Sequence, residues 1–378
     1  MIPFQVRLER RLERKWWYGV LTPVLSVVAA LIAGGIFLSI EGFNPWTVYR
    51  ELFEASFTTR FGFTDSVTLA IPLILTGLSA AVVFRMNIFN IGAEGQLYFG
   101  AIFGSWAGLA LADGMPWVIG AMIVLVASAI GGALWAAPAA LFKAFFGTSE
   151  IITTLMLTFI ALFFMRYLIF GSDSYWRDPE TTNFPQGRRV PIGARFPLWS
   201  DTRLHWGLVV VLLIVVLVWV MIRYTRVGFD MNVVGSSETS ARYAGISAKR
   251  TVIVALLLSG GLAGLAGGAE VAGRAYALDP NGLELGLGFT GIVVAALARY
   301  NPFGVVVVAV FIAGLQNAGV ALQGLPGDRV PVEVSLMLQG AILLFAIGGE
   351  VFSQNRLKIT RTSRRTTTVD GAAEGATA

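Results

Sequence analysis

The chain has no cysteine, a single histidine and only 13% charged residues, against about 25% in an ordinary soluble domain. Without cysteine there is no disulfide framework, no thiolate metal site and no thiol nucleophile, and His205 alone cannot build an imidazole metal cluster. No G-x-x-x-x-G-K-[ST] run occurs, so the chain carries no phosphate-binding loop of that type for nucleotide hydrolysis. Neither a metal nor an organic cofactor is expected. What the missing charge leaves is apolar: 56% hydrophobic residues and a mean hydropathy of +0.71.

Apolar runs of about 20 residues recur, each long enough to cross a hydrocarbon core about 30 Å thick. Ten spans are expected, near 18–40, 67–84, 91–112, 117–142, 151–170, 206–222, 252–272, 287–298, 303–323 and 332–347. These runs are apolar on every face, whereas barrel strands alternate over about 10 residues, so the fold class is all-α and polytopic. The inner segments of this layout hold most of the 28 Lys and Arg, and Arg177, Arg188, Arg189, Arg195 and Arg203 on the outer side all share one loop. That bias places both termini in the cytoplasm and explains the pI of about 9.6 without nucleic acid.

Residues 1–17 form a basic segment, read as an interfacial helix with Leu8 and Leu12 on one face, followed by Trp16, Trp17 and Tyr18 at headgroup depth among the lipids. The run after it is too long for the apolar part of a cleaved leader. The membrane domain covers 18–349, and the basic remainder, 350–378, reads as disordered and cytoplasmic. The outer loop, 171–205, contains Pro179, Pro185, Pro191 and Pro197 and should be an irregular cap that either receives a partner or covers the mouth of a path.

The inner loop, 223–250, holds a short helix that Ser236 or Ser237 can cap, with Glu238 in its first turn and Gly245 ending it in the left-handed conformation. Its exposed side offers Glu238, Arg242 and Tyr243, either as a docking patch or as a solvated connector. A literal G-x-G-x-x-G at Gly286, Gly288 and Gly291 lacks the preceding strand and the following acidic residue of a dinucleotide site. It reads as a flexible lead-in to a span. The stripes Gly100, Gly104, Gly108 and Gly260, Gly264, Gly268 suit close helix packing.

The informative stretch is R-M-N-I-F-N-I-G-A-E-G-Q-L-Y-F-G, residues 85–100. Asn87, Asn90, Glu94 and Gln96 cannot all face lipid, because an unpaired polar group there costs several kcal/mol, on the order of 2–7. They face protein or a watery path, with Phe89 and Phe99 as apolar walls, or the stretch is a tight turn at the inner surface. Along such a path Asn90, Gln96, Gln316, Asn317 and Gln339 would offer amides that both donate and accept hydrogen bonds. Phe89, Phe99 and Phe289 would stack on a ring or simply pack.

F-N-I-G-A-E-G-Q resembles the signature of permease subunits of bacterial ABC importers for simple sugars and nucleosides, relatives of the ribose and branched-chain amino-acid permeases. S-E-I-I-T-T-L-M-L-T-F-I-A from Ser149, A-R-Y-A-G-I ending at Ile246, and G-F-T-G-I-V-V-A-A-L-A-R-Y-N-P-F-G from Gly288 agree in order. Thr158 and Phe159 stand where an Asn-Tyr pair is common, and Arg299 replaces a small residue. The resemblance implies a core of about ten helices in two related bundles, an ABC ATPase subunit as partner, a second and shorter permease, an external substrate-binding protein, and an inner-membrane location. It makes Ser237, Glu238, Arg242, Tyr243, Gly245 and Ile246 the coupling helix for the ATPase, and puts Phe89, Asn90, Glu94 and Gln96 near the path.

The leading functional reading is therefore the permease of an ATP-driven importer, itself no enzyme, for a neutral polar solute. Nucleosides come first and simple sugars such as ribose or galactose second. An ion-coupled carrier needs ionisable groups near the bilayer midplane, and Glu94, Glu150, Arg166, Glu270 and Arg299 all fall near span ends. A membrane enzyme finds no nucleophile or metal constellation to build on.

Overall fold

The computed structural model describes residues 4–10, 18–181, 185–322 and 333–361. The long helices are α1 (Tyr18–Ile40), α3 (Arg60–Phe84), α4 (Ala93–Leu111), α5 (Trp117–Leu141), α6 (Glu150–Arg166), α7 (Gly207–Tyr224), α10 (Ala248–Glu270), α13 (Pro302–Leu322) and α14 (Glu333–Gln354). Shorter ones are α2 (Pro45–Phe53), α8 (Arg226–Ser236), α9 (Glu238–Tyr243), α11 (Pro280–Leu283) and α12 (Leu287–Leu297). Each of the ten expected spans falls on a helix. Among the described residues, 7 helical segments are long and apolar enough to cross a membrane.

Helix α3 is the centre of the body: its residues from Ser66 to Phe84 are buried with few breaks, and it packs against α10, α12 and α13. Helix α4 lies among α5, α6 and α10, while α1 packs along α14. At the periphery, α6 leaves Ile152, Met156, Ile160 and Phe163 exposed, and α7 leaves Leu213 and Leu217 exposed. Large apolar side chains displayed on this scale suit a hydrocarbon solvent rather than water.

The glycine stripes are packing seams, as expected. A methyl group at Gly100 would strike the backbone of Gly264, one at Gly132 the backbone of Gly260 and Gly264, and one at Gly264 the carbonyl of Ser128. Helices α4, α5 and α10 thus meet backbone to backbone. The Gly286 to Gly291 run is also a close crossing rather than a flexible lead-in, since Gly288 lies on the Glu94 backbone and Gly291 on Thr76.

The N-terminal segment differs from expectation. Phe4–Arg10 is a strand, β1, paired antiparallel with a second strand, β2 (Asn355–Arg361), in a register that opposes Val6 to Ile359 and Leu8 to Leu357. Both sequences, F-Q-V-R-L-E-R and N-R-L-K-I-T-R, alternate polar and apolar residues, and this period of two prevails over the Leu8/Leu12 helical spacing. Residues 11–17, with Leu12, Trp16 and Trp17, lie outside the described residues. The expected disordered tail is ordered at its start, because α14 runs past Ile347 to Gln354 and β2 follows; residues 362–378 are not described.

The outer loop is irregular, with one short turn at Ile192–Ala194 and isolated bridges, but it is pinned down. The N–H of Val190 donates to the Tyr276 carbonyl at 2.8 Å, that of Phe196 to Ala272 at 2.9 Å, and the Trp176 indole to Ile102 at 3.1 Å.

Candidate functional site

After α3 ends at Phe84 the chain turns through Asn87, which sits in the left-handed region at φ 54°. It re-enters the helical body, and the Asn90 side chain accepts from the Gly92 N–H at 3.0 Å, one turn before α4 begins. Asn90 is fully buried. Its Nδ2 donates to Gln96 Oε1 at 2.8 Å and to Ser259 Oγ at 2.9 Å, and its Oδ1 accepts from Gln96 Nε2 at 3.1 Å. Ser259 in turn donates to the Ser79 carbonyl at 2.9 Å. The segment is thus neither a surface turn nor a row of free amides facing water. It is a closed knot joining α3, α4 and α10, with both amides occupied by protein partners.

Glu94 is 1% exposed and reaches across to another helix. Its carboxylate accepts from the Tyr98 hydroxyl at 2.8 Å and from the Gly288 N–H, in the first turn of α12. That helix begins at Leu287 behind Gly286, which has no side chain to cap with, so Glu94 supplies from α4 the acceptor that the start of α12 lacks.

The expected path residues are not brought to one surface. Phe89 is 42% exposed and packs edge-on to Phe84, whereas Phe99 is stacked on Trp135 with centroids 3.7 Å apart, inside the contact of α4 with α5 and α6. Phe289 is exposed on α12. Gln339 lies on α14, and its side chain is outside the described residues. Gln316 and Asn317 on α13 line a cavity of about 750 Å³. Asn317 also donates to Ser66 Oγ and to the Gly62 carbonyl, both at 3.1 Å, which fixes its amide against α3.

This cavity contains residues that the sequence reading did not select: Asp65 and Thr68 from α3, Leu198 and Arg203 from the outer loop, Gly273, Arg274 and Tyr276 after α10, and Glu284 after α11. Its charges are paired. Arg203 contacts Asp65 at 3.4 Å, Arg274 bridges the buried Glu270 at 2.6 Å, and Arg166 at the end of α6 holds Glu284. Beside Gly273 lies His205, buried and stacked on Phe196 with centroids 5.4 Å apart, its Nδ1 accepting from the Gly207 N–H at 3.2 Å. Burial pushes this imidazole down to about 4 from an ordinary 6.5. The available signal was the charge clustered at span ends in the outer segments. The hydroxyls Ser79 and Ser259, inside apolar runs, gave none.

On the opposite side, Ser237 rather than Ser236 caps α9, its Oγ accepting from the Ser240 N–H at 3.2 Å. Gly245 ends the turn at φ +74°, and the Ile246 N–H closes back on the Ala241 carbonyl at 2.9 Å, the bond pattern of a left-handed helix stop. Ala241 is buried, Glu238 and Arg242 are exposed, and Tyr243 is 90% exposed. The preceding α8, capped by Thr225, was not anticipated.

Comparison with known proteins bears on this arrangement. Residues 62–347 match the family described as the permease component of the branched-chain amino acid transport system. The chain is 35% identical over 94% of its length to a glucose ABC transporter permease protein of Haloferax volcanii, of which it covers 94%. It is 30% identical to a guanosine ABC transporter permease protein of Bacillus subtilis, over 87% of this chain and 94% of that one. It is likewise 30% identical to a nucleoside ABC transporter permease protein of Lactococcus lactis, over 86% and 90%. No solved structure matches. A multi-pass helical body matched by this family over most of its length identifies the chain as a member of the branched-chain amino acid transport system permease family, a permease subunit of an ABC transporter.

Proposed function

We propose that this permease carries a neutral, hydroxyl-bearing ring solute inward, with nucleosides as the leading class. The observation that carries the solute class is the cavity whose wall charges lie in ion pairs, with Gln316, Asn317, Thr68 and Tyr276 as its uncharged polar side chains. An anion or cation entering it would meet charges already held in ion pairs, while hydroxyls and base edges meet amide and hydroxyl side chains in its wall. The relatives named for guanosine and nucleosides support this reading. Simple sugars are the second reading, favoured by the 35% identical relative named for glucose. Asn90, Gln96 and Glu94 shape the path from behind, as the frame that holds α4 and α12, and Gln339 and Phe89 remain candidate wall residues.

In this reading ten helices cross the plasma membrane, in two related bundles, with both termini in the cytoplasm. Pairing of Phe4–Arg10 with Asn355–Arg361 supports an even number of crossings, because it holds both ends on one side. Helix α9 docks into an ATPase subunit through Tyr243, Arg242 and Glu238, a second, shorter permease completes the pair, and an external binding protein delivers solute. Uptake of labelled guanosine in the assembled transporter, competed by other nucleosides, glucose, ribose and leucine, tests the solute. Nucleosides should compete and leucine should not, and Gln316→Ala with Asn317→Ala should lower uptake about tenfold. Competition by leucine alone would overturn the solute class.

A further inference from the structure

Helix α9 lies at the surface of the body, with Tyr243 90% exposed, whereas the Asn90 knot lies inside it. Besides the continuation of α9 into α10, a short physical route joins the two through α8. Asn87 Nδ2 donates to the carbonyl of Gly235, in the last turn of α8, at 3.0 Å. At the same place Gly235 lies against the backbone of Arg85 and Met86: a methyl group there would sit 2.5 Å from the Arg85 carbonyl oxygen and 2.8 Å from the Met86 Cα. Arg85 is itself anchored, through a hydrogen bond from Nη2 to the Tyr300 carbonyl in the turn between α12 and α13. The strand of chain gripped in this way leads, three residues on, to Asn90 and so to α3, α4 and α10.

We propose that the Asn87–Gly235 contact is the joint through which displacement of α9 reaches the knot at the centre of the bundle. Asn87 is a positioning residue: it touches no solute, and it acts by holding the re-entrant segment to α8. Two features suit it to the task. A left-handed residue tolerates Asn or Gly and strains most others, so the turn has a fixed shape. Backbone-to-backbone packing at Gly235 leaves no compliant side chain between α8 and the segment, so a shift of one moves the other. The inference rests on the reading of α9 as the docking helix.

The test uses the complete transporter reconstituted with its ATPase. Asn87→Gly keeps the left-handed backbone and removes only the side-chain bond. It should lower the maximal uptake rate by about three- to tenfold, leave the solute KM and co-purification of the ATPase unchanged, and raise the ATP hydrolysed per solute. Asn87→Asp, which turns oxygens toward the Gly235 carbonyl, should track Asn87→Gly rather than the parent. Gly235→Ala should uncouple more strongly, and if it fails to fold, the exposed Asn87 variants still decide the matter. Normal uptake per ATP in Asn87→Gly and Asn87→Asp, with uptake lost in Tyr243→Ala, would overturn the joint and leave the docking reading intact. Normal uptake and ATPase binding in Tyr243→Ala would overturn both.

Discussion

Two polar clusters interrupt this apolar body, and they are built on opposite plans. The inner one is uncharged, closed and fully buried: Asn90, Gln96, Ser79 and Ser259 satisfy one another across three helices. The outer one is charged and open to a cavity; Arg166–Glu284 and Arg203–Asp65 each tie two separate segments, while Arg274–Glu270 is a local pair one turn apart. A polar residue in a membrane segment is therefore not by itself a sign of the path. Where hydrogen-bond capacity is exhausted internally the cluster holds helices together, and where groups remain presented to a void it can meet a solute.

The largest effect should come from breaking the closed cluster. Asn90→Leu leaves the Gln96 amide without its partner in a buried place and takes from Ser259 Oγ the donor it accepts from, at a cost of about 2–5 kcal/mol. Thermal unfolding of the detergent-solubilised chain should fall accordingly, and Asn90→Leu with Gln96→Leu should cost less than the sum of the two single changes. Additive losses would mean that the amides do not work as a pair.

Next in size is a pH effect at the outer region. His205 is neutral in the fold, with its pKa near 4 against 6.5 when unfolded. Between those values the unfolded chain binds more protons, so stability is complete above about pH 6.5 and declines as pH falls, by up to about 3 kcal/mol once pH drops through the folded value. His205→Gln should flatten the part of the pH profile of thermal unfolding that lies between about pH 7 and about pH 4. A parallel profile in the variant would refute the assignment.

The smallest effect is expected at the cavity rim. Arg203 is 82% exposed and contacts Asp65 at only 3.4 Å, so Arg203→Ala should shift stability by less than about 0.5 kcal/mol, in contrast to Asn90→Leu under identical conditions. A loss comparable to that of Asn90→Leu would erase the distinction between the two clusters.

Local features were legible in the sequence because their causes are local. Each apolar run picked out by hydropathy falls on a helix, and Ser237 and Gly245 mark both ends of α9. The polar stretch at 85–100 was recognised as unable to face lipid, but its partners were not, since Ser259 lies 169 residues from Asn90 and looks like part of an apolar run. A still longer separation, 194 residues, hid the hold of Glu94 on α12. In the terminal segment two periodicities competed within a few residues, and only pairing with residues near the opposite end of the chain decided between them.

The glycine contacts among α4, α5 and α10 also bear on motion. Surfaces that interlock main chain to main chain cannot slide by small steps, because any shear drives carbonyls into neighbouring backbone. Any relative sliding of these three helices would first require their backbones to separate. At the ends of α5 and α10 the constraint relaxes, because π-helical turns at Phe142–Phe146 and Val271–Ala275 depart there from the regular α-helical hydrogen-bond ladder.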